Sequence, residues 1–255
     1  MPAAVRTIGI GIGENAKKVI RSAVAVAGRA AVTCYCRPGT PETDAVLPPG
    51  VRIAAHAEPH EALVADLIAG RIGAAVRGTL PANDTLRALK RAAGVDHLER
   101  IALLETADGR KFFLAPVGVD EGWTVAEKVE LIHKGREIAR RFGLSKNVGV
   151  LSGGRFGDAG RHRQVDASMA DAEIVAKLAG AEHCQILIEE AVKTCGLIIA
   201  PDGISGNLIF RTLTLLGAGH GHGAPVLNIP VIFVDTSRAS PDYTNALTLA
   251  AALLD

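Results

Sequence analysis

A chain of 255 residues, 48% apolar and only 4% aromatic, is long enough to fold around one large core or two smaller ones. Its 28 basic and 27 acidic residues nearly cancel, which removes any general electrostatic reason to expect nucleic acid or an anionic membrane as partner, and the shortage of aromatics weakens base stacking. No signal-peptide pattern opens the chain and no apolar run reaches the roughly 20 residues of a bilayer span, so a cytoplasmic protein without a membrane partner is expected.

Val5 to Ile12 reads as a first strand, and Glu14 to Ala27 as a helix entered through three spaced glycines. Ala31 to Cys36 reads as a second strand, closed by Arg37-Pro38-Gly39. His60 to Ala69 has helical character, Ala74 to Val76 is a short buried strand, and Asn83 to Ala93 is a helix with Asn83 or Asp84 as its cap. Arg100 to Glu105 and Lys111 to Pro116 form a hairpin about Ala107-Asp108-Gly109-Arg110, a natural place for a second domain to begin. Thr124 opens a long amphipathic helix to about Phe142, and Glu127 completes a capping box with it. Asn147 to Leu151 is a strand that enters the glycine- and arginine-rich loop Ser152 to Arg163. Then follow a helix from Ser168 to Ala179, strands Gln185 to Ile188 and Gly196 to Ala200, and a helix from Asn207 to Leu216. A strand Val231 to Val234 and a helix from about Tyr243 end the order. This alternation predicts an α/β fold with parallel or mixed sheets, and no internal repeat is visible.

The glycines of Ile8-Gly9-Ile10-Gly11-Ile12-Gly13-Glu14 do not complete a dinucleotide fingerprint. Ala16 stands in the third glycine's place, but the second strand ends in Arg37 rather than an acid, so a structural turn is the better reading. Because the segment also lacks the acid that would hold a ribose, S-adenosylmethionine is not expected as a tight ligand. Cys34 and Cys36 fall on one face of a strand without a nearby His or second Cys pair, and Cys184 and Cys195 stand apart in sequence. No metal site is expected from them. His220 and His222 sit among glycines in GAGHGHGAP, which reads as a mobile loop, with phosphate contact as the functional alternative.

Two buried-strand patterns each deliver polar residues to a turn. LIIAP leads to Asp202, Ser205 and Asn207, and VIFV leads to Asp235, Thr236, Ser237 and Arg238. Ligands of parallel sheets bind at the carboxyl ends of strands, and a guanidinium with hydroxyl and amide donors there points to an anion. The loop from Ser152 to Arg163, with Arg155 and Arg161, offers a further set of donors.

The order GNLIFRTLTLLG, GAP, VIFVDTSR, then Asp242 shortly before Asn245, resembles the C-terminal signature of phosphate acetyl- and butyryltransferases. Asp202-Gly203-Ile204-Ser205-Gly206-Asn207 is similar to a turn of the PlsX type of acyl-phosphate synthase, and AAVRGTLPANDTLRALK places Arg87 on a transferase arginine. LSGGRFGDAGR, APDGISGNLIFRTL and VDTSR together are similar to a methanogen marker family, Mtx subunit X, that carries a methyltransferase label. Two departures from the acyltransferase pattern stand out. Arg77 replaces a serine, and the interval from Ser237-Arg238 to the acid is shorter.

The resemblance implies a two-domain α/β fold of the isocitrate/isopropylmalate dehydrogenase-like, phosphate acetyltransferase type. Its domains would be residues 1–108 plus 226–255 and residues 109–225, with the active site between them. It implies Ser237, Arg238 and Asp242 as catalytic residues, and Arg87, Ser152, Arg155, Arg161, Asp202, Ser205, Asn207 and Asn245 as substrate-binding residues. In that scheme Arg238 and Arg87 hold a phosphate or phosphoryl group, Ser237 and Asn207 stabilise a developing oxyanion, and Asp242 is the general base. No metal and no firm cofactor is implied, with coenzyme A or phosphate as candidate ligands, a small anionic metabolite as partner and a homodimer as the assembly. A dehydrogenase relative and a non-catalytic metabolite-binding subunit are the alternatives.

Overall fold

A computed structural model describes residues 7–41 and 47–255, so Val5 and Arg6, where the expected first strand begins, lie outside the described residues. In chain order the elements are β1 (Thr7–Gly11), α1 (Ala16–Val26), β2 (Ala31–Cys36), β3 (Val51–Ala55), α2 (Pro59–Ile68), β4 (Ala74–Val76) and α3 (Ala82–Ala93). Then come β5 (Ala102–Glu105), β6 (Lys111–Ala115), α4 (Val125–Arg141), β7 (Val148–Leu151), α5 (Arg163–Ala179), β8 (Glu182–Gln185), α6 (Ile188–Thr194), β9 (Leu197–Ile199) and α7 (Gly203–Arg211). The chain ends with β10 (His220–Gly221), β11 (Ala224–Pro225), β12 (Ile232–Asp235) and α8 (Thr244–Leu254).

The chain divides into two compact α/β units, Met1–Leu98 with His222–Asp255, and Glu99–Gly221. The first division falls before the β5–β6 hairpin rather than within it, because both strands pair in the second unit's sheet. The return falls at His222 rather than after Pro225, because β11 pairs with β12 in the first sheet.

The first sheet has the order β11-β12-β4-β1-β2-β3, parallel except for β11. Its strands carry apolar residues on both faces, as helices on both sides require. α2 and α3 pack on each other over a core that includes Tyr35, Leu63, Ala75, Leu89 and Phe233, while α1 and α8 pack on each other. The second sheet has the order β10-β5-β6-β9-β7-β8, antiparallel at β10-β5-β6 and parallel from β6 to β8. Here α4 and α5 pack together, with Leu131, Ile132, Met169, Ala172 and Val175 buried. Thr124 and Glu127 form the expected capping box at the start of α4, each side chain taking the other's backbone N–H at 3.2 Å.

Several elements differ from the sequence reading. β8 is Glu182–Gln185 and Ile188 already belongs to α6, where a strand Gln185 to Ile188 was expected, because the pairing with β7 shifts register and Gln185 takes φ 55°. α5 starts at Arg163 rather than Ser168, since His162 accepts from Gln164 N and caps it. α7 starts at Gly203 rather than Asn207, because Asp202 is its cap. α3 follows Pro81, so Asn83 and Asp84 lie in its first turn and neither caps it. His220 and Gly221, expected in a loop, pair with Glu105 and Leu104. β3 has no counterpart in the sequence reading: Val51 is its one buried residue.

Candidate functional site

In the first unit the strand order reverses between β1 and β4, since the chain runs from β1 outward to β3 and then crosses back to β4. Such a reversal opens the region beyond the carboxyl ends of the strands, where ligands of parallel sheets bind. β12 lies beside β4 and delivers Asp235, Thr236, Ser237 and Arg238 to the same end. Arg77, directly after β4, is 5% exposed; its Nε donates to Asp235 Oδ1 at 2.5 Å and its Nη1 to Leu80 O at 2.8 Å. Thr236 Oγ1 donates to Gly78 O at 3.0 Å. The exits of β4 and β12 are thereby locked together, and Arg77 is a clamp rather than a ligand donor.

The turn after β12 is held from α1. Lys18 Nζ donates to the carbonyls of Arg238 and Ser240, each at 2.9 Å, and lies 5.1 Å from the centre of the Tyr243 ring. Tyr243 N donates to Ser22 Oγ at 2.9 Å and Tyr243 OH to Ser237 O at 3.2 Å. Burial is the main cause that pushes the Tyr243 hydroxyl up to about 12, so it remains a donor at neutral pH. Ser237 is half-buried with Oγ accepting from Ala239 N, and the Arg238 side chain is exposed. Asp242 is exposed and its Oδ1 accepts from Thr244 N at 2.9 Å, which turns the chain into α8; Asn245 stands exposed in the first turn of that helix. The turn thus brings Ser237, Arg238 and Asp242 together on one fixed segment. Arg87 is on the exposed face of α3, 4.0 Å from Asp84, and among the described residues no hydrogen bond or ion pair joins it to that turn.

Gly9 and Gly11 of β1 and Gly13 just after it serve packing. Gly9, Gly11 and Gly13 alternate with isoleucines, and a Cβ at Gly9 would lie 2.6 Å from both Leu63 Cδ1 and Ile72 Cδ1. A Cβ at Gly13 would lie 2.6 Å from Thr79 O. Thr79 Oγ1 accepts from Gly13 N and Glu14 N and donates to Glu14 O at 2.7 Å, so the close approach these glycines allow is to the chain's own 77–80 segment.

In the second unit β6, β9, β7 and β8 are parallel neighbours, which places Pro116–Gly118, Ala200–Asp202, Ser152–Gly154 and Gln185 at one edge of the sheet. Asp202 accepts from Ser205 N at 2.8 Å and from Ser205 Oγ at 3.1 Å, and Asn207 Nδ2 donates to Val117 O at 2.9 Å. The loop after β7 takes up much of its own donor capacity. Gly153 N donates to Ser168 Oγ, Arg155 N to Asp158, Phe156 N to Gln185 Oε1 and Gly160 N to Asp166, all within 2.8–3.0 Å. Arg161 pairs with Asp158, whose carboxyl is held low first by the Arg155 N–H and then by that guanidinium, while the Arg155 side chain stays exposed. Ser152, 1% exposed, donates to Gly154 O at 3.0 Å.

Two residues here, His183 and Lys128, escaped the sequence reading. His183 Nε2 is 2.9 Å from Ser152 Oγ and His183 Nδ1 is 3.0 Å from Glu173 Oε2, a chain of hydrogen bonds that supports the loop from below. No local pattern marks it. Lys128 is 5% exposed on α4, 3.8 Å from Asp171, and burial is the first cause lowering its pKa, with Asp171 and Asp202 opposing. It was legible: Lys128, Leu131, Ile132 and Gly135 share one buried helical stripe.

No protein-family model matches the chain. A protein of Methanosarcina barkeri named "Putative methyltransferase mtx subunit X" is 51% identical over 201 residues, which cover 77% of this chain and 74% of the relative. The chain belongs to the Mtx subunit X family. A relative from Methanopyrus kandleri named an uncharacterized methyltransferase is 42% identical over 207 residues, 77% of this chain and 80% of the relative. Among solved structures, a branched-chain phosphotransacylase from Enterococcus faecalis has a TM-score of 0.73 at 17% identity, covering 97% of this chain and 98% of its own. A phosphotransacetylase from Streptococcus pyogenes gives 0.71 at 16% identity over 99% and 94%. An isocitrate dehydrogenase from Methylococcus capsulatus gives 0.55 at 12% identity over 98% and 84%. The fold of this Mtx subunit X family member is therefore of the phosphotransacylase and isocitrate dehydrogenase type. Among its described residues no helix is long and apolar enough to cross a membrane.

Proposed function

We propose that the protein is a transferase that binds a small phosphorylated or acyl-phosphate metabolite at the turn after β12, with coenzyme A as the candidate acceptor of the transferred group. The observation that carries this reading is the fixed segment bearing Ser237, Arg238 and Asp242 beside the strand-order reversal. A turn whose backbone is held by Lys18 and Tyr243 presents its donors with little reorganisation, which is what stabilisation of developing charge requires. In this reading Arg238 holds the anion through its guanidinium fork, Ser237 donates to an oxygen that gains charge, and Asp242 takes the proton of the incoming nucleophile.

The test is titration of the wild type and Arg238→Ala with phosphate and acetyl phosphate by calorimetry, followed by an assay of acyl transfer to coenzyme A. Arg238→Ala is expected to lose about 2–4 kcal/mol of anion binding or transition-state stabilisation. Unchanged affinity would sink the anion site. Arg155 and Arg161 of the second unit offer another set of guanidiniums, and the Arg155→Ala/Arg161→Ala double variant measures whether they add to the same affinity. The family's methyltransferase label is tested in parallel: S-adenosylmethionine is expected not to bind the free chain in the micromolar range.

A non-catalytic, metabolite-binding role is the second reading, favoured by the internal pairing of Asp202 with Ser205 and of Arg161 with Asp158. Phosphate binding without transfer by the folded wild type selects it. A dehydrogenase of the isocitrate type is disfavoured by the donor set. Among the described residues the one group of three metal-type ligands is Glu182, Cys184 and Cys195, which is thiol-rich rather than a cluster of carboxylates.

A further inference from the structure

That thiol-rich group lies in the second unit. Cys184 sits on β8 where the pairing with β7 breaks: Val150 faces His183 and Leu151 faces Gln185, so Cys184 is the extra, unpaired residue of a bulge. Gln185 next to it takes φ 55°, a left-handed backbone that costs free energy in a residue with a side chain. Cys195 follows the last residue of α6, one residue short of β9. β7 lies between β8 and β9, and at its centre is Gly149. A Cβ on Gly149 would lie 3.0 Å from Cys184 Sγ and 3.2 Å from Cys195 Sγ, so the missing side chain leaves room for both sulfurs. Glu182, two residues before Cys184, projects from the same side of β8, and its carboxylate and the two sulfurs lie within 4.8 Å of one another.

We propose that Glu182, Cys184 and Cys195 bind one thiophilic divalent cation of the zinc class, with a fourth position left for water or another small ligand. Ligand atoms of a tetrahedral ion with bonds of about 2.0–2.3 Å lie roughly 3.3–3.8 Å apart, so the group needs only a contraction of about 1 Å to close on a cation. Charge decides between this reading and a bare redox pair. Glu182 places a carboxylate within 4.8 Å of both sulfurs. A carboxylate placed there weakens a thiolate nucleophile but supplies a third anionic ligand once a dication is present. Binding releases the protons of both thiols to solvent and leaves two thiolates and one carboxylate on the ion. Glu182 is exposed and Cys184 partly so, which opens the group to an ion from solvent, while Cys195 closes it from within. Such an ion would clip β8 to the entrance of β9. It would also fix Gln185, whose carbonyl accepts from Ser152 N at 2.8 Å and whose Oε1 accepts from Phe156 N at 3.0 Å, and so stiffen the loop after β7.

The experiment is anaerobic titration of the reduced full-length protein with Co2+, read by thiolate-to-cobalt charge-transfer absorption. Imidazole groups such as His220 and His222 give no such band, so it reports cysteine ligation. One equivalent is expected to raise the band in the wild type and in the Cys34→Ser/Cys36→Ser variant. Cys184→Ser is expected to lose it. Losing even an outer partner of a metal ligand costs about 10- to 100-fold in affinity, so Glu182→Gln, a change at an exposed residue that keeps the fold, should weaken Co2+ at least about tenfold. Absence of the band in folded wild type with its thiols free overturns the proposal. So does a band that survives in Cys184→Ser, or an affinity unchanged in Glu182→Gln.

Discussion

Arg77 and Asp235 are buried partners contributed by strand ends far apart in sequence, and their ion pair is what sets the Ser237–Arg238 turn on the end of β4. Removing one member of a buried pair strands the other, at a cost of about 3–5 kcal/mol. Arg77→Ala is therefore expected to lower stability by that order in urea unfolding. The Arg77→Ala/Asp235→Ala double variant should recover part of the loss, because no charge is left buried alone. In the sequence Arg77 reads only as a replacement for a family serine; its partner could not be seen there, because the pairing depends on which strand settles beside β4. Asp242 separates two roles. Asp242→Asn keeps an oxygen for Thr244 N, so stability should hold while turnover falls. Asp242→Ala also removes that acceptor from the turn before α8, which costs about 0.5–1.5 kcal/mol. Equal turnover in Asp242→Asn and wild type would remove the general base from the proposed mechanism.

At the scale of elements, features set by neighbours in sequence were legible and those set by distant partners were not. The Thr124 capping box and the Asp108-Gly109 hairpin follow from local rules, and both are present. The start of α7 was misplaced because Asn207 is a good cap by type, yet Asp202 captures Ser205 N first and Asn207 is drawn to Val117 O. β8 was shifted because a bulge leaves no sequence period to follow. For the candidate site, the Ser237–Asp242 segment was legible as a strand-end turn, whereas its supports Lys18, Ser22 and Tyr243 were not. Gly78 is where an element boundary depends on one residue: φ is +61° and a Cβ would run into Gly11 O. The left-handed backbone alone costs a side-chain-bearing residue about 1–2 kcal/mol, and the collision adds to it. Gly78→Ala should lower the urea midpoint with little change in the slope of the transition.

For the whole molecule, α7 leaves Ile204 and Leu208 exposed at 47% and 59%, one turn apart on one stripe, and we propose this stripe as part of a homodimer interface. Light scattering at micromolar concentration should give twice the 26.5 kDa chain mass, and Leu208→Glu should shift it toward the monomer. A monomeric wild type would discard the dimer. The second unit is continuous in the chain, while the first is assembled from both ends of it. On the ribosome, Glu99–Gly221 has every strand of its sheet before β12 has been synthesised. Until β12 arrives, the apolar strand Ala74–Val76 has an open edge of the kind that invites pairing with other chains. A chain ended after Gly221 and released should therefore resist protease across Glu99–Gly221 and be cut readily before it, so that the last strand made decides when the first-made unit becomes safe from aggregation.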